Sequence, residues 1–173
     1  LATLRNQVTG EMLTAPKIIK FEAGMRECSW QKNCVAIGLS SGFLEPLEST
    51  SIYLIQTAIF KLLELFPVGN TFDVESIEFN RSLHNEYQKI RDFIILHYHL
   101  NTRKEPFWAY CATLQLPESL TDKMDIFTKT GNVVSYEDGL FMPPSWLAVY
   151  LGQGKRFSVY DPRADYVAAI KNE

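Results

Sequence analysis

The 173 residues carry 17 Lys and Arg against 20 Asp and Glu, a formal net charge of −3. The basic residues are scattered, which excludes a stripe built to displace counterions from nucleic acid. Hydrophobic residues make up 46% and aromatics 13%, which excludes a disordered chain, and no run of about 18 apolar residues predicts a membrane span.

Leu1 to Ala15 is mixed and weakly patterned, and Pro16 breaks it. Ile18, Ile19 and Phe21 predict a short strand ending at Gly24. Asn33 to Leu39 is an apolar run of strand length, read as a buried strand. A Gly/Pro-broken turn follows, Ser40 to Thr50. Ser51 to Phe66 places Ile52, Ile55, Ile59, Leu62, Leu63 and Phe66 at helical spacing, and Pro67 stops it. Val68 to Phe72 reads as a loop and Asp73 to Ser76 as a turn or helix start. From Asn80, a candidate N-cap, the positions Leu83, Tyr87, Ile90, Ile94 and Tyr98 mark one face of a long helix. Shorter helices are expected over Trp108 to Leu114, from Pro117 to about Lys129 with Gly131 beyond its end, and from Pro143 to Leu151. Pro162 opens a last amphipathic helix with Tyr166, Val167 and Ile170. The fold class is α+β, mainly α: a strand-containing N-terminal strip followed by five or six helices.

Chemistry concentrates in the turn. A helix entered through Glu48-Ser49-Thr50-Ser51 presents free backbone N–H groups and the positive end of its dipole. That is an anion site. Glu48 immediately before it is either a carboxylate complementing the dipole or a group with chemical work, and Ser49, Thr50 and Ser51 also suit plain capping. Pro46 fixes its own φ, Glu45 is expected to bond neighbouring backbone, and Gly42 allows a close approach or a positive φ. Cys28, Cys34 and Cys111 lack metal-ligand spacing and read as reduced thiols. His84, His97 and His99 do not form a metal set, because His97 and His99 point to different sides of a helix. Arg91-Asp92 and Arg103-Lys104-Glu105 read as surface or interhelical pairs.

Val35-Ala36-Ile37-Gly38-Leu39, then Gly42-Phe43-Leu44-Glu45-Pro46-Leu47-Glu48-Ser49-Thr50 and Ile52…Leu54-Ile55-Gln56, resemble the signature region of flavin-dependent tryptophan halogenases. Weaker likeness continues through Tyr87…Ile90-Arg91-Asp92-Phe93-Ile94…His97-Tyr98, Pro106-Phe107-Trp108, Pro144-Ser145-Trp146-Leu147-Ala148-Val149 and Gly152-Gln153-Gly154. The likeness covers the C-terminal third or so of such an enzyme. The Gly-rich dinucleotide fingerprint and the segment carrying the family's essential lysine are not in this sequence. Leu1 is not a natural start residue, so the chain is expected to be a piece of a larger flavoenzyme. Residues 1–50 would be the end of its flavin-binding domain and 51–173 a helical substrate-side module.

The resemblance implies Glu48 and Ser49 as catalytic residues and Thr50 and Ser51 as the halide site. It implies Gly42, Pro46 and Ile52 as flavin contacts, and Trp146, Phe141 and Tyr136 as substrate contacts. It further implies reduced FAD from a separate reductase, chloride or bromide as co-substrate, and halogenation of an aromatic ring through hypohalous acid. Around Tyr136 to Tyr150 there is no tyrosine pair and no asparagine after Trp146, a departure that puts free tryptophan as substrate in doubt. A related flavin monooxygenase acting without halide, and a non-catalytic helical binding module, are the alternatives. The expected setting is cytoplasmic, without nucleic acid or membrane, with a homodimer possible in principle.

Overall fold

The computed structural model describes residues 2–69, 71–159 and 162–163. Its helices are α1 (Ala2–Gln7), α2 (Thr50–Glu64), α3 (Asp73–His99), α4 (Pro106–Thr113), α5 (Glu118–Thr130) and α6 (Pro143–Gly152). Four two-residue strands, β1 (Gly24–Met25), β2 (Trp30–Gln31), β3 (Cys34–Val35) and β4 (Gly42–Phe43), form two antiparallel pairs, β1 with β4 and β2 with β3. The helix expected from Pro162 lies outside the described residues beyond its first two positions.

The 27-residue α3 is the spine. One of its faces buries Phe79, Leu83, Tyr87, Ile90 and Ile94 with Trp30 of the strip and Leu54 and Ala58 of α2. The spacing of four, four, three and four residues is that of a single helical stripe. Its C-terminal half turns a second face, Phe93 and Leu96, toward Leu120, Met124 and Phe127 of α5 and Trp146 and Tyr150 of α6. Two cores therefore lie against one helix, and the core continues across position 50. Helices α4 and α6 begin with proline in the first turn, where a missing N–H costs nothing. Helix α5 ends at Gly131, whose φ of 73° suits a residue without a side chain.

Several expectations are corrected here. Helix α3 starts at Asp73, seven residues before Asn80. Asn80 is not a cap: its Oδ1 accepts from the Trp30 N–H at 2.8 Å and its Nδ2 donates to the Trp30 carbonyl at 2.9 Å. It ties the strip to the spine. Ile18, Ile19 and Phe21 form no strand, and all three are exposed. An extended apolar segment needs a partner for its backbone, and none pairs with it among the described residues. The strand expected over Asn33 to Leu39 shrinks to Cys34–Val35, because Gly38 adopts φ 70° and opens a short 3₁₀ turn, Gly38–Ser40. Gly42 has no positive φ. What it permits is strand pairing: a Cβ there would lie 2.8 Å from the Gly24 carbonyl oxygen and 2.9 Å from Met25 Cα.

Candidate functional site

The turn that launches α2 is held from both sides. The Ser29 and Ser41 hydroxyls bond at 2.8 Å, and the Tyr98 hydroxyl donates to Glu45 Oε2. Glu45 thus bonds across to α3 rather than to neighbouring backbone. Between these anchors a second 3₁₀ turn, Leu47–Ser49, carries two consecutive left-handed residues, Glu48 at φ 63°, ψ 4° and Ser49 at φ 51°, ψ 36°. Such backbone costs a residue with a side chain on the order of 1–2 kcal/mol and is characteristic of functional sites. Thr50 then returns to φ −69°, ψ −14°. The Ser49 N–H closes this turn onto the Pro46 carbonyl at 3.0 Å. No side-chain oxygen caps the first turn of α2, so Ser49, Thr50 and Ser51 do not cap as plain structure would have them. The Thr50 side chain is buried, and Ile52 is 67% exposed.

Glu48 looks into a cleft of about 480 Å³ lined also by Phe93, His97, Phe141, Ser145 and Gln153. Phe93 and Phe141 stack at 3.8 Å between ring centroids, with an interplanar angle of 19°, and make one wall. His97 makes another. Its Nδ1 lies 2.9 Å from the Phe93 carbonyl oxygen, which can only accept, so Nδ1 carries the proton. Its Nε2 lies 3.7 Å from Glu48 Oε1. His97 belongs to this site, and the sequence reading did not assign it. The available signal was its place four residues after Phe93, on the same face of one helix.

Among the expected substrate contacts, only Phe141 lines this cleft. Trp146 has no exposed surface. Its indole N–H donates to the Phe141 carbonyl at 3.2 Å and its ring meets Phe93 edge-on at 5.2 Å. It therefore buttresses the aromatic wall from behind. Tyr136 lies elsewhere, donating its hydroxyl to Asp92 Oδ2 at 2.6 Å. Asp92 is itself fully buried and also accepts from Ser119 at 2.6 Å and from Arg91 at 2.7 and 3.0 Å. The Arg91-Asp92 pair is thus half interior, a buried carboxylate satisfied by three neighbours, which is the condition for tolerating it. Burial, then the neighbouring carboxylate, pushes the Tyr136 hydroxyl up to about 12.

An uncapped helix start and a carboxylate on left-handed backbone thus lie together at the edge of an aromatic cleft. The family model for tryptophan halogenase matches residues 1–169, and the chain belongs to the tryptophan halogenase family. It is 38% identical over 141 residues to the tryptophan 6-halogenase SttH of Streptomyces toxytricini, a match that spans 79% of this chain and 27% of that protein. Among solved structures it resembles BrvH, a flavin-dependent halogenase from Brevundimonas sp. BAL3, with TM-score 0.88 and 45% identity over 99% of this chain and 36% of that one. It also resembles Xcc4156, a flavin-dependent halogenase from Xanthomonas campestris, with TM-score 0.87 and 43% identity over 95% of this chain and 34% of that one. The chain thus spans about a quarter to a third of the length of these relatives. None of its described helices is long and apolar enough to cross a membrane.

Proposed function

We propose that this chain supplies the carboxylate and halide side of a flavin-dependent halogenase acting on an indole-like aromatic. The observation that carries this reading is Glu48, held in left-handed backbone between an uncapped helix start and an aromatic cleft. Residues 1–50 stand on the flavin side and 51–173 on the substrate side, a division of role within a shared core. The chain's own residues fit a flat flavin ring at one edge only, where the exposed Ile52 and the free amides of Thr50 and Ser51 meet, with Pro46 and Gly42 shaping the approach.

Reduced flavin, delivered by a separate reductase, would supply with oxygen the oxidation of chloride or bromide to hypohalous acid. The Thr50 and Ser51 amides bind the halide against the positive end of α2. Phe141, braced by Phe93 and Trp146, orients the ring by stacking. Glu48 polarises the incoming halogen and takes the ring proton as general base, with Ser49 fixing the turn that aims it. The setting that suits these reduced thiols and the absence of basic or membrane-directed features is cytoplasmic.

The substrate is an indole or similar aromatic lacking the amino-acid handle. Of the expected contacts around Tyr136 to Tyr150, Tyr136 is committed to Asp92 and Trp146 to a backbone carbonyl, and the stretch has no tyrosine pair and no asparagine after Trp146 to grip charged ends. A site without such partners has no reason to prefer the amino acid.

The test uses the full-length protein with a flavin reductase. Glu48→Gln should lower halogenation by about 10²- to 10⁴-fold and leave NADH-coupled flavin oxidation intact. A variant within a few-fold of the parent would reduce Glu48 to a dipole complement. Indole and tryptophan in competition, read by mass spectrometry, should give mainly halogenated indole, and preferential tryptophan product would overturn the substrate assignment. Hydroxylated product independent of halide would favour the monooxygenase alternative.

A further inference from the structure

We propose that His97 is the positioning residue of Glu48, holding its carboxyl group once it is protonated and relieving it of the proton taken from the substrate ring. The proposal rests on the reading of Glu48 as the base and adds the group through which that base is reset. Glu48 and His97 are the only ionisable side chains among the described residues lining the cleft; the α6 wall contributes the neutral Ser145 and Gln153, and the α3 wall contributes Phe93. With no competing charge in the cleft, the carboxylate and the imidazole answer to each other.

The imidazole is pre-set for this. The Phe93 carbonyl, four residues back on α3, holds the proton on Nδ1. The Phe93 ring meets the imidazole edge-on at 4.8 Å and limits its rotation. Both restraints come from one helical turn, so Nε2 keeps its lone pair toward Glu48 Oε1, 3.7 Å away. The Glu48 side chain is 42% exposed and the His97 side chain 20%, so the carboxylate is the mobile partner and the imidazole the fixed one. Nε2 is an acceptor, so it engages Glu48 once that carboxyl carries a proton to donate.

The step balances without any further reagent. After halogen adds to the ring carbon, the C–H bond breaks, its electron pair restores the aromatic system, and the proton forms an O–H bond on Glu48. The same proton then moves from Glu48 to Nε2, giving imidazolium with both N–H groups engaged, Nδ1 to Phe93 and Nε2 to the regenerated carboxylate. Solvent at the open side of the cleft takes the proton away. Histidine is the side chain whose ordinary ionisation permits loading and unloading near neutral pH.

The experiment compares the full-length parent, His97→Gln, His97→Asn and Glu48→Gln with a reductase, chloride or bromide, and indole, across pH 5.5 to 8.5. His97→Gln is expected to lower kcat about tenfold, less than loss of the base itself, with KM within about twofold and NADH-coupled flavin oxidation unchanged. Both His97 variants should change the pH profile of kcat relative to the parent. A Gln variant within about twofold of the parent and with the parent's pH profile would overturn the proposal, since a wall-filling role needs only a side chain of similar size. If Glu48→Gln also keeps full activity, the reading of Glu48 fails first. If Glu48→Gln is inactive while His97→Gln is not, only the role of His97 falls. Equal helical circular dichroism and thermal midpoints for parent and variants report that each protein is folded.

Discussion

A half-buried and a fully buried tyrosine, Tyr136 and Tyr150, show how much a single hydroxyl depends on its partner. Tyr136 donates to the fully buried Asp92, whereas the Tyr150 hydroxyl is buried with no partner among the described residues. Removing a donor from a buried carboxylate leaves it partly unsatisfied, at a cost of about 1–3 kcal/mol. Removing an unpartnered hydroxyl relieves a desolvated group. Tyr136→Phe is therefore expected to lower the unfolding free energy by about 1–3 kcal/mol and Tyr150→Phe to leave it level or raise it, both read by urea denaturation. A loss at Tyr150 as large as that at Tyr136 would contradict this. Alkaline titration draws on the same residues. Burial first, and then the carboxylates of Glu45 and Asp92 for two of the three, raise Tyr98, Tyr136 and Tyr150 from the ordinary 10 to about 12. Their contribution to stability is complete below pH 10 and is lost as pH climbs through about 12. The phenolate absorbance removed by replacing any of these three with phenylalanine should belong to the window in which helical circular dichroism falls; such absorbance removed near pH 10 with full helicity would contradict it.

At the scale of elements, the link between Asn80 and Trp30 holds the strip onto α3. Asn80→Ala leaves a backbone N–H and a carbonyl without their partner, and about 1–3 kcal/mol should be lost. Hydrogen exchange should quicken in residues 24–43 before the C-terminal half of α3, and uniform quickening would argue against a local clamp. The helical elements themselves were legible in the sequence. The stripe from Leu83 to Tyr98, the prolines opening α4 and α6, and Gly131 closing α5 each act within a turn or two of chain. The strip was not legible, because its pairing depends on Gly38 taking a left-handed φ and on Gly42 meeting Gly24 across eighteen positions. At the site, the carboxylate at the helix start was legible as a local pattern. His97 was not, since its meaning depends on a contact with Glu48 that only tertiary packing makes. The burial of Trp146 behind Phe141 was hidden for the same reason: spacing identifies an apolar face but not which ring on it meets solvent.

At the scale of the molecule, the two cores leave much apolar surface uncovered. Ile52, Ile59, Phe60, Leu63 and Phe66, along and just beyond α2, are all exposed. The sequence carries no Gly-rich dinucleotide turn, the element that would bind a pyrophosphate. These 173 residues expressed by themselves are therefore expected to bind FAD weakly or not at all. Flavin fluorescence titrated with the protein should show no saturation at micromolar concentrations, and saturable quenching there would overturn the expectation.

Helix α3 also sets a length standard. It meets the N-terminal strip at Asn80 and the turn of Glu48 at Tyr98, through Glu45, with His97 beside the second of these points. An α-helix advances about 1.5 Å and turns about 100° per residue. One residue inserted between Asn80 and His97 would swing the imidazole a quarter-turn or more around the axis and out of the cleft, and would turn the core-facing residues beyond the insertion by the same angle. Insertions and deletions that surface loops absorb easily should thus be rejected between Asn80 and His97, even where every side chain they add is a good helix former.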